Sequence, residues 1–275
     1  MAAGFAIKSF GLSQRRACVL VSVSSTIFSY APRLSELNEK IRKRLKQLAA
    51  RHRKWGAWKF WRILRREGLM VNHKRVERIY RQEGLSLRER KRKKLKALAR
   101  VPLPKPERAN QQWSMDFIHD KLWEGRRFRS LSIVDTFTHE CLALEVDTSL
   151  GGERVKRVLE RLSEERGLPE AITVDNGPEF ISQAVDEWAY RRDVKLDFIR
   201  PGKPTDNPYV ESFHDKFRDE CLNENYFLSL AEARTIIEDW RTEFNTFRPH
   251  RSLKGLTPEE FKQQNETRKL YLQVV

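Results

Sequence analysis

The segment 171-AITVDNGPEF-180 is followed, after a helical pattern, by 198-FIRPGKPTDNPYVESFHDKFRDEC-221. The first places Asp175 at the end of a short β-branched run, and the second places Glu211 inside what reads as a helix, with 35 residues between the two acids. A third acid in a similar setting is Asp116 in 112-QWSMDFI-118, again at the end of an apolar stretch. Three acids from separate segments can converge on one site. Mg²⁺ and Mn²⁺ are hard cations that take oxygen ligands, and a pair of them can clamp both the attacking and the leaving oxygen of an in-line displacement at phosphorus. Spacing alone decides little in a chain with 38 acids, so the flanking residues carry the weight.

Those flanks are specific. The segments WSMDF, TVDNGPEF, PGKPTDNPYVESFHDKFRDECL and FNTFRPHRSLKGLTPEEF, in order from Trp113 to Phe261, resemble the retroviral-integrase-like transposases of bacterial insertion sequences, of the second-reading-frame (orfB) type. The resemblance implies a ribonuclease-H-like core with Asp116, Asp175 and Glu211 as catalytic residues and metal ligands. It implies Mg²⁺ or Mn²⁺ as cofactor, two ions with DNA bound, in a 3′-end cleavage followed by strand transfer. The implied partners are double-stranded DNA, as terminal repeats and as target, further copies of the chain on that DNA, and an upstream-frame product fused to or paired with it. No Walker-type glycine loop is visible, in keeping with phosphoryl transfer that needs no ATP. The alternative is a non-catalytic DNA-binding regulator of element ends. A ribonuclease H is a third reading, but it calls for a fourth acid, and none is clear.

Charge is segregated along the chain. Residues 1–108 hold 30 Lys and Arg against 7 acids, a net of +23, whereas residues 109–275 carry a net of −7. A half this basic, without the pattern of a membrane-surface helix, points to a polyanion, and nucleic acid is the default. No apolar run approaches 18 residues, so no membrane span is expected. The run VLVSVSSTIF sits among arginines and serines without a cleavage pattern, which argues against a signal peptide. Cys18, Cys141 and Cys221 are odd in number and far apart, which fits a reducing compartment rather than a disulfide framework; the resemblance implies the bacterial cytoplasm, at the nucleoid.

Within the basic half, Ser13 and Ser24 are N-caps for two short helices in residues 1–32, a possible helix-turn-helix remnant whose turn has Val21-Ser22-Val23 where the family usually has Gly. Residues 33–87 read as a helical DNA-binding domain. Its first helix shows Leu34, Leu37, Ile41, Leu45 and Leu48 at steps of three and four. A helix-turn-helix follows, with Ala57–Glu67 stopped by Gly68 and His73–Glu83 capped by Asn72, leaving His73, Lys74, Arg75 and Arg78 on the outer face of a recognition helix. Residues 88–108 form a basic, proline-containing linker in which Arg90, Lys91 and Arg92 are candidate phosphate contacts.

Residues 109–265 alternate strands and helices. Strands are expected at Gln112–Ile118, Phe128–Thr136, Cys141–Asp147, Ala171–Val174 and Val194–Ile199, with helices at Gly151–Gly167, Ser182–Arg192, Pro208–Asn223 and Leu230–Phe247. Short turns join the first three strands, which favours a mixed sheet flanked by helices over a doubly wound parallel one. Asp120, Asp135, Asp147 and Glu179 are expected to serve turns near strand ends. His214 and Arg218 share the helix face of Glu211 and are candidates for holding the DNA backbone, as is Lys203 in the approach loop. Arg248 and His250 read as structural ahead of phosphate-facing, and residues 266–275 as a C-terminal tail.

Overall fold

The structure, a computed structural model, describes residues 2–29, 36–87, 106–200 and 207–274. It divides into two compact units, Met1–Lys46 and Gln47–Val275. In the first, α1 (Ala2–Phe10), α2 (Gln14–Leu20) and α3 (Ser25–Phe28) precede α4 (Glu36–Arg51), whose end belongs to the second unit. Ser13 and Ser24 cap α2 and α3 as expected, and Ala3, Ala17 and Cys18 make a small core. Ser22 takes the left-handed conformation (φ 53°) at the turn where a glycine would be more at ease. The first helix, α1, was not foreseen.

In the second unit, α5 (Ala57–Arg66) and α6 (His73–Gln82) pair through Phe60, Ile63, Leu64, Val76, Ile79 and Tyr80. Gly68, at φ 84°, lets the chain turn after α5, and Leu69 N–H closes back on Leu64 C=O at 2.9 Å. The Asn72 side chain accepts from Lys74 N–H at 2.9 Å and starts α6.

A five-stranded sheet follows in the order β3-β2-β1-β4-β5: β1 (Gln112–Lys121), β2 (Arg127–Asp135) and β3 (Cys141–Asp147) are antiparallel, while β4 (Ala171–Val174) and β5 (Lys195–Phe198) add in parallel beside β1. This is the mixed, ribonuclease-H-like sheet. Alternation along β1 sends Trp113 and Met115 to one face, under α7 (Gly152–Arg166) and α8 (Gln183–Arg191). Ser114, Asp116 and Ile118 go to the other, under α9 (Pro208–Glu220) and α10 (Leu230–Thr246).

Three expectations need correction. β1 runs five residues beyond Asp116, to Lys121, because its antiparallel pairing with β2 continues to Arg127; Asp116 lies inside the strand. Asp120 is therefore a strand residue, not a turn acid. The expected tail belongs to α11 (Pro258–Val274), a helix that begins within the TPEEF signature. Among the described residues no helix is long and apolar enough to cross a membrane.

Candidate active site

β1 and β4 pair in parallel, Gln112 with Ala171 and Ser114 with Thr173. Asp116 stands on β1 two residues beyond that last pair, and Asp175 follows directly on the carboxyl end of β4, where sites of α/β sheets form. Asp175 is fixed by a tight turn in which its Oδ1 accepts from Gly177 N–H at 2.9 Å, and Asn176 Nδ2 donates to Ile199 C=O at 2.8 Å. A Cβ on Gly177 would lie 2.9 Å from that same Oδ1, so the absence of a side chain lets the carboxylate fold over the turn.

Glu211 comes from the first turn of α9. Pro208 opens the helix, where its fixed φ and missing N–H cost nothing. Val210, Phe213 and Phe217 bury one stripe, and the positive end of the helix dipole faces Glu211. Asn207, just before the helix, is buried, and its Nδ2 reaches Met115 C=O at 3.5 Å.

Asp116 carries the electrostatic signature of the site. Burial pushes its pKa up, Phe117 N–H opposes this by donating to Oδ1 at 2.7 Å, and the negative charges of Asp175 and Glu211 push it further, to about 6. No Lys or Arg among the described residues forms a salt bridge with any of the three acids. His214 lies inward, its Nδ1 3.6 Å from Asp116 Oδ2 and its Nε2 3.0 Å from Ser132 Oγ. Burial and then Arg218 hold its pKa near 4, so the imidazole is neutral at pH 7. A cavity of about 490 Å³ lies along the start of α9 and the first residues of β1 and β4, lined by Gln112, Ser114, Thr173, Asn207 and Tyr209 and by none of the three acids.

The donor chemistry fits a hard divalent cation: three carboxylates whose mutual repulsion at Asp116 a cation would relieve. Their spacing is looser than a shared ion needs, since among the described residues no three His, Cys, Asp or Glu side chains stand at metal-holding distance.

Residues 106–204 and 192–258 match the family models described as integrase core domain, and 36–94 match an HTH-like domain. The chain is 44% identical over 250 residues to the insertion element IS407 uncharacterized 31.7 kDa protein of Burkholderia multivorans, covering 91% of this chain and 90% of that one. The chain belongs to the insertion-sequence transposases with an integrase-like core. It is also 42% identical over 250 residues to the IS476 39.2 kDa protein of Xanthomonas euvesicatoria (91% of this chain, 72% of that one). Identity with the transposase for IS904 of Lactococcus lactis is 25% over 225 residues (77% and 88%).

In this transposase-family chain the other candidates fall as follows. His73, Lys74 and Arg78 are exposed on α6, with Arg75 half-buried between them. Arg218 is exposed and donates to His119 C=O at 3.3 Å. Arg90, Lys91, Arg92 and Lys203 lie outside the described residues, as do Pro102 and Pro104 of the linker; Pro106 is the first described residue after it. Asp135 serves a turn as expected, its Oδ1 accepting from Phe137 and Thr138 N–H at 2.9 and 2.8 Å. Asp147 caps Thr148 and pairs with Arg234, whereas Glu179 is instead an ion-pair partner of Arg129. Arg248 is buried and structural, binding Glu220 through Nε at 2.7 Å and Nη2 at 2.6 Å. His250 is buried edge-on against Phe244.

Glu220, on the same helix as Glu211, has a role that no sequence motif marks. It also accepts from Lys59 Nζ at 2.8 Å and Trp55 Nε1 at 3.0 Å, so it joins the helix of Glu211 to α5. Nothing local marks it, because its partners stand 28 to 165 positions away.

Proposed function

We propose that this chain is a DNA transposase that cleaves the 3′ ends of an insertion sequence and joins them to target DNA, with Asp116, Asp175 and Glu211 as its catalytic carboxylates. One observation carries the assignment: Asp116, half-enclosed on β1, feels the negative charge of Asp175 and of Glu211, two acids from distant segments of the chain. The three would hold Mg²⁺ or Mn²⁺, two ions once DNA is bound. A bound divalent cation supplies Lewis-acid stabilisation of charge at phosphorus and a lowered pKa for the attacking hydroxyl.

The protein's own part is placement. Asp116 is fixed by a strand, Asp175 by the Gly177 turn and Glu211 by the first turn of α9, so none depends on a long flexible loop. His214, neutral and tied to Ser132, stands beside Asp116 with its Nδ1 3.6 Å from the carboxylate and half-buried rather than free on the surface. In the first step water displaces the 3′ oxygen of the element end. In the second, that 3′ hydroxyl displaces an oxygen of the target strand, so no covalent protein intermediate and no ATP are required. Two ends have to be cut and joined together, which calls for more than one copy of the chain on DNA. The outer face of α6, with His73, Lys74 and Arg78 exposed and Arg75 half-buried between them, meets the terminal repeat in a groove.

The test is alanine at each acid in turn, assayed on DNA carrying the inverted repeats that flank the gene. Binding persists and Mg²⁺-dependent cleavage disappears in each variant. Cleavage retained in all three single variants overturns the assignment.

A further inference from the structure

β1 parts from β4 after Ser114, and from Met115 to Lys121 its sheet partner is β2 alone. The β1–β2 hairpin therefore projects past the acids. Asp116 to Lys121 spans five residues, or about 16 Å of strand, which matches about five base steps of DNA at 3.4 Å each.

The hairpin ends in the turn Leu122–Arg126. Leu122 is buried, its N–H bonds to Arg126 C=O at 2.8 Å, and Gly125 takes φ 91°. Trp123 faces out with 70% of its surface exposed, yet it is not loose. Its N–H donates to Phe227 C=O at 2.8 Å, and its ring meets Tyr226 edge-on at 5.3 Å. Tyr226 is itself 78% exposed. Around this aromatic pair Lys121, Arg126 and Arg127 are exposed, and none has a salt-bridge partner among the described residues. Against them stand Glu124 in the turn and Asp120, whose Oδ1 is occupied by Lys121 N–H.

A rigid aromatic with unpaired cations beside it matches what unpaired nucleotides offer: a π-face to stack on and phosphates to neutralise. A second copy of the chain suits the tip less well, because it would set the same unpaired cations against one another. We propose that this tip is a second DNA contact, in which Trp123 stacks on an unpaired base flanking the scissile phosphate and Lys121, Arg126 and Arg127 hold the neighbouring phosphates. The inference rests on Asp116 marking the scissile position.

The experiment compares the full chain with Trp123→Ala, Trp123→Phe and the double variant Arg126→Gln/Arg127→Gln on two probes: a blunt duplex, and the same duplex with a single-stranded extension of about five nucleotides. Trp123→Ala weakens binding to the extended probe about five- to a hundredfold and leaves the duplex unchanged, while Trp123→Phe stays near wild type. The double arginine variant weakens both probes and lowers the salt slope by about two. Equal affinity of Trp123→Ala and wild type for the extended probe overturns the proposal. So does a Trp123→Ala variant whose sedimentation mass falls while its DNA affinity holds, which gives the patch to a second copy. Wild-type chain that binds neither probe overturns the proposal and the transposase reading together. Cleavage surviving in Asp116→Asn, with the Trp123 effect intact, removes the catalytic reading and with it the placement beside the scissile phosphate, while the stacking contact stands.

Discussion

Asp116 sits where ionisation is costly. Its pKa is raised from 3.8 to about 6, so the folded chain prefers the protonated acid. The contribution to stability is full below pH 4 and is lost as pH rises through 6. Asp116→Asn removes the charge at nearly constant shape, so without metal it should stabilise the fold at pH 7.5 by roughly 3 kcal/mol, and by almost nothing at pH 4. Urea denaturation at the two pH values checks this; equal effects would mean that burial and the neighbouring acids do not raise the Asp116 pKa. Gly177 makes the complementary case. A methyl there meets the end of the Asp175 side chain rather than backbone, so the carboxylate swings away and the fold barely notices. Gly177→Ala should melt within about 0.5 kcal/mol of wild type and lose cleavage by about a hundredfold, the order expected for a 1 Å misplacement. The turn that holds Asp175 is spelled out locally by the Asp-Asn-Gly of TVDNGPEF, because a turn motif states its chemistry in adjacent residues. The inward turn of His214 is not, since helical spacing gives a face and not what covers it.

At the level of elements, caps and periodicity set most boundaries. Asn72, Gly68, Ser182 and Gly167 each stand where a helix starts or stops. β1 was read too short because His119, Asp120 and Lys121 break the apolar pattern while the backbone ladder with β2 goes on; pairing is set by the partner strand and the turn. α11 was missed for the opposite reason, a polar helix whose apolar stripe is weak. The recognition element α6 provides the test at this scale. Asn72 supplies its only side-chain cap, to Lys74 N–H, next to the basic residues proposed to meet DNA. Asn72→Ala should cost about 1 kcal/mol of stability and weaken binding to terminal-repeat DNA, with Asn72→Ser close to wild type in both. A variant that loses the stability alone would place the DNA-contacting face elsewhere.

Across the whole molecule, the net charge is divided along the chain, +23 in residues 1–108 against −7 in the remainder. Within the second unit the two signs of charge meet at a polar seam: Glu220 with Arg248, Lys59 and Trp55, and Arg66 donating to Phe247 C=O at 3.0 Å. Such a seam is invisible in sequence, since each member is an ordinary charged residue until the fold buries it. Burial alone would raise the Glu220 pKa, but Arg248 and then Lys59 take it down to about 2. Its contribution to stability is therefore present above pH 4.5 and lost as pH falls through 2. Glu220→Gln keeps the shape and strands two cations in the seam, a loss on the order of 2 kcal/mol. If the seam is what ties α5 and α6 to the sheet, amide exchange over residues 57–66 and 73–82 should quicken about thirtyfold at neutral pH, each 1.4 kcal/mol being tenfold. Amides of β1, β2 and β3 should keep their protection, because their ladder and apolar layers do not involve Glu220. Uniform quickening across the sheet and the helix pair would show instead that Glu220 supports the core as a whole, and equal rates in variant and wild type would show that apolar contact alone holds the helices in place.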